Sequence, residues 1–423
     1  MSQNRSLISV ENALKSILKK ITPVEIETVP LAQSLYRILA EPIISPINVP
    51  PFANSAMDGY AVVAADIQAA GSQNPVQLKM VDNIPAGGAA STEIITTTAA
   101  RIMTGAPMPA GADAVVPFEE TSEYQSAAQE LADDAVLVYK PVAAGDNVRP
   151  AGEDIQAGQE VLATGQRLRP QDVGILAAIG QARVPVYRRP RAAILSTGDE
   201  LVTIDEPIGP GQIRNSNEYT LAALVEKYGG EAVRLGIACD TVADLTAKIR
   251  EGLAQNVDLF LTSAGVSVGD FDMVKNVLAA EGKMQFWQVA MKPGKPLAFG
   301  LLQGENQAVP LIGLPGNPVA AMIAFEVFAR PAILKLGGQL SWDGTMLRAK
   351  LDEDVTNSGR RHYMRAFLHG EEDGYHVTTR GSGVQVQGSG ILSSLVWANC
   401  LVVVPEEVTY IPAGAIVEVW LLD

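Results

Sequence analysis

Between residues 192 and 290, short apolar runs alternate with stretches of helical length, and no other feature of the sequence restricts its fold as strongly. Residues 192–195 read as a strand. A helix follows over 218–228, stopped by Gly229-Gly230, then a strand over 233–238 and a helix over 243–253. A strand at 259–261, a helix over 273–280 and a strand at 286–290 close the series. Strands joined by helices of this length form βαβ units, which requires a mostly parallel sheet with right-handed crossovers. Ligands of such sheets bind outside the carboxyl ends of the strands.

That rule singles out four loops. Ser196-Thr197-Gly198-Asp199-Glu200 pairs small residues with carboxylates suited to a divalent cation. The run from Thr262 and Ser263 through Gly265 and Ser267 to Asp270 offers hydroxyls and successive backbone N–H groups to an anion. Asp272 and Lys275 follow one helical turn apart. Met291-Lys292-Pro293-Gly294-Lys295-Pro296 is a stiff loop bearing two ammonium groups. Leu314-Pro315-Gly316-Asn317-Pro318 reads first as a helix start, with Asn317 as N-cap and Pro318 in the first turn, and second as a phosphate contact. No Walker-type loop occurs.

The rest of the chain is different in kind. Residues 1–40 read as helical, with Ser9 or Glu11 opening the apolar repeat Leu14, Ile17, Leu18. A Pro-rich stretch over 41–51 marks a boundary, and the turn-rich β-type runs of 52–145 indicate a small β domain. A short helix is expected at 173–179, before a basic hinge at 187–190. Residues 340–423 return to β pattern and imply a small barrel or sandwich. The apolar run 319–336 is interrupted by Glu326, Arg330 and Pro331, so it reads as a buried helix rather than a membrane span.

A net charge of −15 excludes an extended nucleic-acid surface, which needs clustered Lys and Arg, and disfavours an anionic membrane. A small anion held by a local basic cluster stays compatible. With 47% hydrophobic residues over 423 positions, the chain can fill several cores. Cys239 and Cys400 lie far apart in apolar runs and read as buried free thiols of a reducing compartment. The first residues lack a signal-peptide pattern, so a cytoplasmic location is expected. His362, His369 and His376 recur every seven residues; on a continuous strand they would alternate faces, so surface histidines are favoured over a metal site.

Seven stretches, in order, resemble the molybdopterin molybdenumtransferase family, which includes the E domain of gephyrin. They are Asn54-Ser55-Ala56-Met57-Asp58-Gly59-Tyr60, Arg101-Ile102-Met103-Thr104-Gly105-Ala106-Pro107, Gly152-Glu153-Asp154-Ile155, and residues 196–201, 265–269, 292–296 and 314–318. The resemblance implies a bent N-terminal domain (1–50 and 146–186) carrying an inserted β domain (51–145). It further implies a central three-layer α/β domain like the molybdopterin adenylyltransferases (187–336) and a C-terminal β-barrel (337–423). It also implies a homodimer whose cleft is completed across the interface. The implied reaction joins molybdate to molybdopterin-AMP with release of AMP and uses Mg2+. Asp272, Asp240 and Glu200 would serve the metal and nucleotide phosphate, with Asp58, Thr104 and Asp154 lining the cleft. Ser263, Gly265, Ser267, Lys275, Lys292, Lys295, Pro296, Gly316, Asn317, Arg365 and Ser394 would bind substrate. A separate adenylyltransferase would deliver the pterin. The alternatives are adenylyl transfer from ATP to molybdopterin, and a non-catalytic dimeric scaffold. Two positions depart from the family: Ala264 where a glycine is usual, and Pro150-Ala151 where a basic pair is common.

Overall fold

A computed structural model describes residues 7–125, 132–264, 277, 280, 282–304, 308–381, 384–385 and 387–422. The expected helix over 273–280, and with it Gly265, Ser267, Asp272 and Lys275, lies outside the described residues except for positions 277 and 280.

The first helix covers only Val10–Leu18, capped by Ser9, whose side chain accepts from the Asn12 N–H at 3.2 Å. The helical reading of 1–40 is therefore too long. Pro23 follows the helix end, and the β-branched Ile26–Pro30 pairs antiparallel with Arg183–Tyr187. These strands share a core with Leu39, Ile43, Ile155, Leu162, Leu168 and Leu176, so chain from both sides of the inserted β region packs together. The Pro170–Ala178 helix begins with Asp172 accepting from the Arg169 N–H.

The inserted region is a five-stranded sheet in the order Ala114–Pro117, Gly59–Val62, Thr98–Ile102, Val76–Ile84, Ala135–Val138. Alternate residues face opposite sides, Tyr60 and Val62 toward one core and Ala61 toward the other.

The central unit is a six-stranded sheet in the order Glu231–Ala238, Arg191–Thr197, Leu259–Ser263, Ala308–Leu314, Pro296–Gln303, Gly282–Gln288. The first four strands are mutually parallel, and Pro296–Gln303 runs antiparallel to both of its neighbours. Helices Ser216–Lys227 and Val242–Leu253 flank it, the latter capped by Thr241. The run 319–336 is buried along nearly its whole length: Pro318–Ala324, a wider turn over Phe325–Ala329, then Arg330–Leu336. Its charged interruption is internally satisfied, with Glu326 1% exposed, accepting from the Tyr228 hydroxyl and paired with Arg330 at 3.3 Å. Among the described residues no helix is long and apolar enough to cross a membrane.

In the C-terminal region Arg361–Glu371, Gly374–Thr378, Met346–Leu351, Ile416–Leu421 and Cys400–Val404 pair in sequence, and Cys400–Val404 pairs back onto Arg361–Glu371. The sheet therefore closes as a five-stranded barrel, which decides between barrel and sandwich. Met291–Lys292 adds to it as a sixth strand, parallel to Arg361–His362. Through that pairing the basic loop is anchored at once to the α/β sheet and to the barrel.

Candidate active site

The loops at the carboxyl ends of the parallel strands enclose a cleft of about 770 Å³ with the barrel. Glu200, Asp240, Ser263, Lys292, Lys295, Pro296, Gly316 and Asn317 all border it. Arg360, Gln387 and Ser389 line it from the barrel.

Its floor is a hydrogen-bond lattice that locks one strand end to the next. Ser196 Oγ donates to Asn215 Oδ1 at 2.9 Å, and Asn215 Nδ2 donates to Glu218 Oε2 at 2.9 Å. Asn217 Nδ2 donates to Ser263 Oγ at 2.6 Å and to the Gly316 carbonyl at 2.7 Å, tying together the ends of two adjacent strands. Sequence reading missed Asn215 and Asn217 because it began the helix at Glu218; the observed start is Ser216, and Asn215-Ser216-Asn217 is the kind of polar cluster that opens helices. Ala264, directly after Ser263, takes φ +79°, a left-handed conformation that glycine adopts freely. Its methyl lies against Gly316, where an added Cβ would sit 3.2 Å from it.

One wall is acidic. The Glu200 carboxylate lies against Gly198, where an added Cβ would meet it at 2.4 Å. Asp199 Oδ1 accepts from the Asp240 N–H at 3.0 Å. Burial first, then the charges of Asp199 and Glu200, push the Asp240 carboxyl above its ordinary value. A divalent cation would relieve that repulsion, and carboxylate oxygens are the donors magnesium prefers, so these residues fit such an ion in kind. Among the described residues Glu200 and Asp240 do not close a three-ligand set, and Asp272 lies outside those residues.

Another part of the lining is basic. Lys292 and Lys295 project from their loop with no ion pair to the described residues, and Arg360, whose Nη1 donates to the Met291 carbonyl at 3.3 Å, joins them. His362 registers this field. It is 3% exposed, correcting its reading as a surface residue, because it sits opposite Lys292 on the added strand. Burial and the charges of Lys292, Arg365 and Arg360 push it down to about 4, so it is neutral near pH 7. Arg365 and Ser394 come together, Nε donating to Oγ at 2.9 Å, but both are buried. Arg365 also donates to the Gly388 carbonyl at 3.0 Å, so the pair supports the rim loop from behind rather than facing the cleft. Burial lowers Arg365 to about 10.

Asn317 precedes Pro318 as expected, but its side chain does not cap the helix; Nδ2 reaches Ser389 Oγ across the cleft at 3.3 Å. Asp58 and Thr104 form a separate pair on the β region: Asp58 Oδ1 accepts from the Thr104 N–H at 2.7 Å and from its hydroxyl at 2.8 Å. These bonds lower the Asp58 carboxyl. Asp154 sits in a turn whose N–H donates to the Val49 carbonyl at 3.0 Å. None of these three borders the cleft within one chain. Cys400 is buried as expected, and burial raises its thiol to about 12; Cys239 is exposed, because it follows the last residue of its strand.

A second cavity, of about 640 Å³, lies between the N-terminal region, the sheet and the barrel. Of its cations, Arg37, Arg188 and Arg330 are neutralised, by Glu27, by Glu25 with Asp258, and by Glu326, while Arg167 stacks on Tyr36. Among the described residues it carries no carboxylate pair like Glu200 and Asp240 beside strand-end loops, which sets the cleft apart.

Residues 8–180 match the family model for the MoeA N-terminal region (domain I and II), 193–335 that for a probable molybdopterin binding domain, and 348–422 that for the MoeA C-terminal region (domain IV). A molybdopterin molybdenumtransferase of Haemophilus influenzae is 36% identical over 98% of both chains. The chain belongs to the molybdopterin molybdenumtransferase family. A Mycobacterium tuberculosis member, molybdopterin molybdenumtransferase 2, is 37% identical over 98% of this chain and 99% of its own. Two structures of the molybdopterin biosynthesis protein MoeA from Pyrococcus horikoshii match with TM-scores of 0.83 and 0.80, at 33% and 31% identity, over 99% and 98% of this chain and all of theirs. The family is one of transferases in molybdenum cofactor biosynthesis.

Proposed function

We propose that the cleft joins molybdate to molybdopterin-AMP and releases AMP. The observation that carries this is the presence, in the lining of one cavity, of uncompensated Lys292 and Lys295 together with the Glu200 and Asp240 carboxylates. Molybdate and a phosphoanhydride are both anions and repel each other. Lys292, Lys295 and Arg360 lower that repulsion where the two meet, and they do so without reorganising during the reaction. Ser263, Gly316 and Asn317 orient the substrate at the strand ends. Arg365 and Ser394 hold the rim loop 387–389 in place. Gly265, Ser267 and Lys275 complete the substrate contacts in this reading.

Glu200, Asp240 and Asp272 would hold Mg2+, which when bound polarises the phosphoryl group. In this reading Asp58, Thr104 and Asp154 reach the cleft from a second copy of the chain, in a homodimer. The protein works in the cytoplasm, and a separate adenylyltransferase delivers the pterin. Adenylyl transfer from ATP would leave Arg360, Gln387 and Ser389 without a role at the cleft, so the insertion reaction is favoured.

The test is direct. Protein given molybdopterin-AMP, Mg2+ and molybdate releases AMP and activates an apo-molybdoenzyme. It shows no AMP transfer from ATP to molybdopterin. Absence of AMP release with every component present refutes the reading. So does retention of release in Asp240→Asn; a non-catalytic scaffold would release no AMP in either form.

A further inference from the structure

Away from the cleft, the barrel brings together residues that the family role does not use. The seven-residue spacing of the histidines suggests alternate faces only for a continuous strand. A hairpin turn instead separates Arg361–Glu371 from Gly374–Thr378, and His369 and His376 become direct cross-strand partners. Their rings lie 5.9 Å apart between centroids. Asp352, just beyond the Met346–Leu351 strand, reaches them from the other side, because that strand pairs with Gly374–Thr378 through Lys350 and His376. One ligand atom from each of Asp352, His369 and His376 lies within 4.8 Å of the others.

We propose that Asp352, His369 and His376 form a binding site for a divalent transition-metal cation, with Glu371 as the fourth ligand. Asp352 Oδ1 is 2.9 Å from His376 Nδ1, and Asp352 Oδ2 is 3.8 Å from His369 Nε2. Glu371 Oε1 is 3.4 Å from the same His369 nitrogen. Tetrahedral ligands bound at about 2.0–2.1 Å stand roughly 3.4 Å apart, so only side-chain rotation is needed to enclose an ion.

The surroundings match a metal site in a second respect. The other nitrogen of His376, Nε2, is 2.8 Å from Asp373 Oδ1, and Asp373 is itself held by Lys350 at 3.1 Å. A carboxylate behind a histidine fixes the tautomer that turns the opposite nitrogen toward a metal. Two neutral imidazoles and two carboxylates balance a dication. Imidazole ligation favours zinc, nickel or copper over magnesium or calcium, so this site is chemically distinct from the Glu200–Asp240 wall. The ligands come from three strand segments, so a bound ion clips one end of the barrel.

The probes are Zn2+ and Co2+ added to metal-stripped full-length protein. Calorimetry should find zinc bound at this site, and Co2+ should give the intense visible bands of a four-coordinate complex. Asp352→Asn, His369→Gln and His376→Gln combined should abolish the cobalt bands and weaken zinc binding at least about 100-fold, with circular dichroism and AMP release unchanged. Asp373→Asn, which removes only the supporting carboxylate, should weaken it by about 10–100-fold. Zinc should also raise the melting temperature of the parent chain and not of the triple variant. The proposal fails if no cobalt bands appear. It fails equally if zinc binding is undiminished in the triple variant, which would place the ion elsewhere on the chain. Binding by the parent chain that is indifferent to Asp373→Asn overturns the supporting role of that carboxylate.

Discussion

Ala264 offers a prediction whose size follows from one angle. At φ +79° an L-residue brings its Cβ close to the backbone, at a cost of roughly 1–2 kcal/mol. Ala264→Gly removes that cost but frees the unfolded chain, which costs about 0.4–1 kcal/mol. The net expectation is a stabilisation of about 0.5–1 kcal/mol. The Ala264 N–H bond to the Leu314 carbonyl, 3.1 Å, is a backbone contact and survives the change. The assay is urea unfolding followed by Trp287, which stacks on Phe299 in the same sheet, with the other tryptophans replaced by phenylalanine. The midpoint should rise at constant slope. A second variant isolates the cause. Gly316→Ala should destabilise the parent chain more than it does the Ala264→Gly background, because its new methyl meets Ala264 at 3.2 Å. A fall in midpoint for Ala264→Gly, or identical Gly316→Ala effects in both backgrounds, would refute the strain argument.

Other expectations follow from single contacts. Lys295→Ala should raise the molybdate concentration needed for half-maximal AMP release while leaving the unfolding midpoint unchanged; an unaltered molybdate dependence removes the lysine from the substrate site. Asn217→Ala deletes one buried and one part-buried hydrogen bond and should cost about 2 kcal/mol in urea unfolding. His362 is pushed from 6.5 to about 4 on folding, so between those values the unfolded chain binds more protons and stability falls as the pH falls. Lowering the pH from 7 to 5 should remove about 2 kcal/mol through this residue, and His362→Leu should abolish that part of the slope.

Local pattern carried much of the architecture. The strand–helix alternation placed three of the four parallel strands and the two flanking helices but missed the strands Pro296–Gln303 and Ala308–Leu314, while the rule about strand ends selected loops that do border one cleft. The buried helix at 319–336 was legible from its interruptions, since Glu326 and Arg330 satisfy each other one turn apart. What stayed hidden depended on contacts between distant segments. Nothing in Met291–Lys292 announces a strand, because its partner is 70 residues away in the barrel. Arg360 and His362 acquire their roles through the same pairing. Asn317 has the sequence of a cap, yet its amide finds Ser389. The resemblance named Arg365 and Ser394 together, but only burial shows that they stand behind the rim. Asp58, Thr104 and Asp154 do not border the cleft in one chain, which no sequence pattern encodes.

The central claim is that two anions meet between the Lys292–Lys295 loop and the Glu200–Asp240 wall. Tungstate has nearly the size and charge of molybdate and scatters anomalously. A crystal soaked with tungstate and AMP should show the anomalous peak within hydrogen-bond reach of Lys292 or Lys295, and the AMP phosphate at the strand ends near Ser263 and Gly316. A tungstate peak outside the cleft, with the cleft itself filled by solvent, would contradict the account.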